Sequence, residues 1–268
     1  ELDNEYVENI AFLGGSVLKT SRCKEFYEDS GVEKGYKILK KHKIECLVVL
    51  GGNGSYKGAI NLSKKGMNVI CIPGTIDNDL FYSNISLGFD TCVNNAVETI
   101  EKIKQTMQSN NRGLIVEVMG RNCGNIALST AISVNANALI IDEDKQSVDT
   151  CKNYVKMAIK NGVESPVIVL QENILDGEIL RKDFEKTFNK QFKFEKIGYV
   201  QRGGSPTVKD KIFANLLAIQ TFNAIKENKF NLAIGMEKEN IYMITLNKVL
   251  NAKSNFNKNL YELYLSNL

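Results

Sequence analysis

The sequence predicts an α/β protein built on parallel sheets flanked by helices. Short apolar runs recur along the chain, and amphipathic segments of helical period lie between them. Glycine-containing polar loops follow several of the apolar runs, which is the arrangement in which open α/β sheets hold ligands. The 268 residues suffice for one large domain or two smaller ones with proper cores.

Residues 46–50 (CLVVL), 68–72 (NVICI), 114–118 (LIVEV), 138–141 (ALII) and 167–170 (VIVL) read as strands buried on both faces. The segment 90–109 puts Val93, Ala96, Val97, Ile100, Ile103 and Met107 on one helical stripe. Helices are also expected over 1–9, 31–43, 125–134, 150–161 and 209–228. Pro73 and Pro206 fall in glycine-containing loops, and Pro166 precedes a strand. No internal repeat and no low-complexity linker interrupts the pattern.

The apolar fraction of 43% and the charged fraction of 24% are those of a soluble globular protein. A formal net charge of +3 is too small to argue for nucleic acid or an anionic membrane. There is no run of 18 or more apolar residues and no secretory signal at the start, so a cytoplasmic protein is expected. The six cysteines form no CxxC pair and read as reduced thiols, several of them in apolar runs. The single histidine, His42, lies in KKHK and reads as a solvated helix end. Of the 34 basic residues only five are arginines: Arg22, Arg112, Arg121, Arg181 and Arg202. Where lysine supplies most positive charge, a retained arginine is a candidate for the planar, bidentate grip on phosphate. Arg181 sits in a polar helical stretch and reads as surface.

Four loops carry the chemistry. After the strand at 46–50, Gly51-Gly52-Asn53-Gly54-Ser55 turns into a helix, whose first N–H groups can hold an anion. After 68–72, residues 73–79 read PGTIDND, with Asp77 and Asp79 one residue apart, so that one can accept a proton and the other orient it or bind a metal. With histidine absent from every loop, a carboxylate is the natural general base. After 114–118, Met119-Gly120-Arg121 brings an arginine to a strand end close to a helix start. Residues 201–206, QRGGSP, form a rigid, donor-rich turn, and Gln171-Glu172 closes the strand at 167–170.

In this order the loops resemble 6-phosphofructokinase: GGNGS at 51–55, PGTIDND at 73–79, VEVMGR at 116–121, QE at 171–172, QRGGSP at 201–206, and LGGSVLKTSR at 13–22. The resemblance covers essentially the whole chain. It implies two Rossmann-like αβα domains with a cleft between them: a nucleotide-binding one over 1–88 plus 201–251, and a sugar-phosphate one over 89–200 plus 252–268. It also implies phosphoryl transfer from ATP to the 1-hydroxyl of fructose 6-phosphate, with Mg2+, in a homo-oligomer, expected to be a tetramer. Asp77 is then the base, Thr75 and Asp79 support the phosphoryl group and metal, and Arg121 steadies the transition state. Ile76, Met119 and Gly120 shape the acceptor site, and Glu172, Lys193, Tyr199 and Arg202 bind the sugar phosphate. Arg112 reaches the 6-phosphate in a neighbouring subunit's site. Arg22, Cys23, Gly52, Asn53, Gly54 and Ser55 line the nucleotide phosphates. Gly54 and Gly74 match the ATP-dependent type rather than the pyrophosphate-dependent type.

Three departures from the family pattern generate further expectations. The chain opens at Glu1, without the family's N-terminal strand and glycine-rich loop, so a truncated first domain lacking its first βα unit is expected. Asn53 stands where the family has Asp; loss of that charge-assisted contact is expected to weaken Mg2+–ATP binding by about 1.5–3 kcal/mol, leaving Asp79 as the better metal candidate and Asn53 a weak one. Tyr199 replaces a histidine, and Lys193 stands near where an arginine is expected. The second reading, from a different class, is therefore a catalytically impaired sugar-phosphate-binding paralogue.

Overall fold

The computed structural model describes residues 2–10, 13–144, 148–249 and 255–268. In chain order the elements are α1 (Asn4–Ile10), α2 (Asp29–Lys41), β1 (Cys46–Gly51), α3 (Asn53–Lys64), β2 (Asn68–Pro73), α4 (Phe89–Ser109) and β3 (Gly113–Val118). Next come α5 (Asn125–Ser133), β4 (Ala138–Ile140), α6 (Val148–Lys160), β5 (Val167–Gln171), α7 (Gly177–Phe188) and β6 (Phe192–Lys196). The chain continues through α8 (Val208–Lys226), β7 (Leu232–Glu237), β8 (Asn240–Thr245), α9 (Leu246–Val249) and α10 (Lys258–Ser266). The helix expected from Glu1 begins at Asn4; Glu1 itself and the domain crossover expected at 251–252 lie outside the described residues.

The chain divides into two compact units: Glu1–Gly88 with Pro206–Asn255, and Phe89–Ser205 with Phe256–Leu268. The first holds a four-stranded sheet of order β1-β2-β7-β8. Its β1, β2 and β7 run parallel, with Gly51 opposite Pro73, so the loops after β1 and β2 leave the sheet side by side. Tyr56, Ile60, Met67, Val69, Cys71 and Leu80 pack its core. The second unit holds the all-parallel sheet β4-β5-β3-β6. Val155, Ile168, Leu170, Phe184 and Phe192 form the core on one side of it.

Two expectations are corrected. The strand at 46–50 is not buried on both faces: β1 is an edge strand, mostly half-buried, and Leu50 is 54% exposed, because a strand with one neighbour has one flank open. The first sheet is mixed rather than parallel, since β8 returns antiparallel to β7. Three strands escape the reading of apolar runs. β6 is a five-residue FKFEK with only alternate apolar positions. β7 carries Gly235 in mid-run, and β8 depends on its turn. Gly235 is required there: a Cβ would lie 2.7 Å from the Tyr82 ring.

Candidate active site

In the first unit, the acidic turn 73–79 leaves the carboxyl end of β2 and is braced from several directions. The Gly74 N–H donates to Gly51 O at 3.0 Å, and the Leu87 N–H to Pro73 O at 2.8 Å. Ser86 Oγ donates to Thr75 O at 2.6 Å. Asn78 is buried in the left-handed region, at φ 49°, a conformation asparagine tolerates. Its Nδ2 donates to Asn84 O at 3.0 Å. Burying Asn78 as the turn's anchor leaves its neighbours Asp77 and Asp79 partly exposed. Thr75 Oγ1 accepts from the Asp77 N–H at 3.2 Å. Ile76 faces Gly88, whose added Cβ would stand 3.4 Å from Ile76 Cγ2.

The phosphate-type loop lies beside this turn. Gly52 is the N-cap of α3 and no side chain caps the helix, so the N–H groups of its first turn remain open to a ligand. A side chain at Gly54 would enter open space, whereas one at Gly74 would approach Gly51 N to 3.1 Å. Gly74 thus lets the two loops lie close, and Gly54 keeps the space over the helix start clear. One bond joins the two loops: Asn53 Nδ2 donates to Asp79 Oδ2 at 2.8 Å. The amide therefore occupies one of the carboxylate oxygens that a cation would otherwise use. Among the described residues no three His, Cys, Asp or Glu gather to hold a metal. Asp79 keeps its other carboxylate oxygen as a candidate cation ligand. Arg22 and Cys23 are exposed, and among the described residues no hydrogen bond or ion pair ties them to 51–55.

In the second unit, Met119-Gly120-Arg121 leaves the end of β3 with Arg121 at φ 54° and exposed. Glu172 Oε1 accepts from the Gly120 N–H at 3.2 Å and from the Arg121 N–H at 2.9 Å. Glu172 is therefore not a bare strand-end acid; it holds the loop and keeps a second oxygen for another donor. Arg202 lies over the Tyr199 ring, 5.7 Å from its centroid, and both side chains are exposed. Asn95 Nδ2 reaches Gly203 O at 2.6 Å and ties the 201–205 turn to α4.

Arg112 and Lys193 do not join this group. They lie at the amino-terminal ends of β3 and β6, on an open cavity of about 460 Å³ that also takes in Lys190 and Glu185. The Arg112 Nε–H donates to Gln191 Oε1 at 2.9 Å. The length of β3, about 3.3 Å per residue, separates them from Arg121 and Glu172. Arg181 is held between Glu178 at 2.8 Å and Glu185 at 2.6 Å on α7, a structural role.

Sequence reasoning overlooked Glu117. It is buried on β3, with Lys196 Nζ 2.6 Å from its Oε1 but outside hydrogen-bond geometry. Glu117 in turn pushes the Lys196 ammonium's pKa upward. The signal was present as the one charge inside the apolar run LIVEV. Taken separately, the first unit offers carboxylates and open helix N–H groups, and the second offers the exposed Arg121 and Arg202. That is the equipment for binding phosphate groups and accepting a proton.

The Phosphofructokinase family profile matches residues 1–225. An ATP-dependent 6-phosphofructokinase of Clostridioides difficile is 40% identical over 98% of this chain and 82% of its own length. The Pichia pastoris phosphofructokinase structure in the T-state superposes with a TM-score of 0.86 at 25% identity, over 93% of this chain and 30% of that one. A Saccharomyces cerevisiae phosphofructokinase structure gives a TM-score of 0.81 at 24% identity, over 96% of this chain and 38% of that one, a likeness of fold.

Proposed function

The chain belongs to the phosphofructokinase family, and from that premise we propose that it transfers the γ-phosphoryl group of ATP to the 1-hydroxyl of fructose 6-phosphate. The observation that carries the reading is the 2.8 Å bond between Asn53 and Asp79, which joins a phosphate-type helix start to an acidic turn. Asp77 accepts the hydroxyl proton as the oxygen attacks phosphorus, and Thr75 and Asp79 steady the moving group. Arg121 neutralises charge that builds on the phosphoryl oxygens. The open N–H groups at the start of α3, with Gly52–Ser55 and with Arg22 and Cys23, hold the nucleotide phosphates. Mg2+ enters as part of the MgATP substrate. The first unit is then the nucleotide-binding one, and Met119, Gly120, Glu172, Tyr199 and Arg202 on the second serve the sugar phosphate. ATP is favoured over pyrophosphate by Gly54 and Gly74 and by the ATP-dependent relative.

A hexose phosphate is shorter than the strand that separates Arg112 and Lys193 from Arg121. If all of them serve one kind of ligand, Arg112 and Lys193 reach it in a neighbouring copy, which makes the protein a homo-oligomer. A cytoplasmic location fits a soluble sugar kinase, and among the described residues no helix is long and apolar enough to cross a membrane.

The test is formation of fructose 1,6-bisphosphate with ATP and with pyrophosphate as donors. Turnover with ATP alone is expected, and Asp77→Ala should lower kcat by about 100- to 10,000-fold, the usual share of general base catalysis. An unchanged rate in Asp77→Ala would overturn the mechanism.

A further inference from the structure

Gln171 and Gln201 are each only 1% exposed, and each spends both ends of its amide on backbone. The Gln201 Oε1 accepts the Met119 N–H at 3.2 Å, and its Nε2 donates to Gly198 O at 3.0 Å. The Gln171 Nε2 donates to Arg121 O at 3.1 Å, and its Oε1 accepts the Asp142 N–H at 3.1 Å. A buried amide is costly unless bonded, and an apolar side chain would fill the same space without that cost. Packing therefore does not explain why two glutamines stand here. The common destination of their bonds does: Met119 and Arg121 are the two ends of one three-residue loop.

That loop needs outside support. Arg121 occupies the left-handed region, at φ 54°, which a non-glycine residue holds only where its surroundings over-determine it. Its N–H goes to Glu172, its C=O to Gln171, and the Met119 N–H to Gln201. Gly120 between them gives its N–H to Glu172 and accepts from the Cys123 N–H at 2.9 Å. The side chain of Arg121 itself stays exposed. The backbone is thus fixed from below while the guanidinium is left to meet a ligand.

We propose that Gln171 and Gln201 are positioning residues that lock the Met119–Arg121 backbone and so deliver the Arg121 guanidinium already aimed. The proposal rests on the reading of Arg121 as the group that neutralises transition-state charge. It adds that Arg121 works at full rate only while both struts hold. A misplacement of about 1 Å at such a group costs on the order of 100-fold in rate.

The test is a set of double-mutant cycles in the fructose 1,6-bisphosphate assay. Gln171→Leu and Gln201→Leu should each lower kcat by about 10- to 100-fold while the KM for ATP stays within about twofold. In an Arg121→Ala background either change should have no further effect on kcat, because the group they aim is gone. Gln171→Met and Gln201→Met, which match glutamine in length, keep the core filled if the leucine variants fold poorly. Kinetic effects of the glutamine changes that persist undiminished beside Arg121→Ala would overturn the proposal, as would near-normal kcat in either single variant. A normal rate in Arg121→Ala alone would instead overturn the role given to Arg121.

Discussion

Asn53 shows how one atom can change what a loop asks of its ligand. Its Nδ2 is a donor 2.8 Å from Asp79 Oδ2, so the two loops are joined without any cation. Replacing it by aspartate would set two carboxylates against each other, and one of them must then be neutralised by a proton or a metal. Asn53→Asp should therefore melt below the parent at pH 8 in chelator and regain several degrees on addition of millimolar Mg2+, following the usual linkage of binding to stability. The parent's melting temperature should barely move under the same addition. Equal responses of the two proteins would show that the pair does not govern cation binding. The loops at 51–55, 73–79 and 119–121 stand out in the sequence because each follows a strand and carries chemistry unusual for a turn. The struts behind them do not. Gln201 and Met119 are 82 residues apart, Glu172 and Gly120 are 52 apart, and nothing local announces a side chain that bonds to so distant a backbone.

At the scale of elements, the joint between α7 and β6 illustrates a support built from charge. Glu185 Oε1 accepts the Phe192 N–H at 3.0 Å, and its Oε2 meets Arg181 at 2.6 Å. The Phe192 N–H, followed by Arg181, holds the Glu185 carboxyl below its ordinary pKa of 4.5. A depressed folded-state pKa stabilises fully above the unfolded value and loses that contribution as pH falls through the folded one. Glu185→Gln should therefore lower the melting temperature at pH 7 and do so less at pH 4. A loss of equal size at both pH values would assign the effect to packing instead. The joint was hard to read in advance because FKFEK is short and only half apolar. The β7–β8 hairpin was harder still. Lys238 and Glu239 make its two-residue turn, both with positive φ, at 47° and 67°. That backbone is normally announced by Asn-Gly or Asp-Gly. Here the ladder from Leu232–Thr245 to Glu237–Asn240 holds an unfavourable turn in place, and tertiary pairing overrides local preference.

At the scale of the whole molecule, alternation of apolar runs and helical stripes was enough to anticipate the α/β class, because parallel strands must be covered on both faces. It was not enough to show that β1 is an edge strand, since apolar composition does not say how many neighbours a strand has. The same scale bears on the role proposed for Arg112. It immediately precedes β3 while Arg121 lies beyond its far end, so the length of the strand separates the two guanidinium-bearing residues. A copy that lends Arg112 to its neighbour predicts rescue between two defective variants. Asp77→Ala lacks the proposed base but keeps a usable Arg112; Arg112→Ala has the reverse defect. Each should be nearly inactive alone. Unfolded and refolded together, they should regain activity, since some mixed sites combine an intact Asp77 from one copy with an intact Arg112 from the other. With random pairing across a two-fold interface, about a quarter of the sites are restored. A mixture that stays at the level of its parts, although hybrids are present by mass, would mean that Arg112 serves its own chain or no site at all. Recovery in proportion to the hybrid fraction would make the oligomer, not the single chain, the catalytic unit.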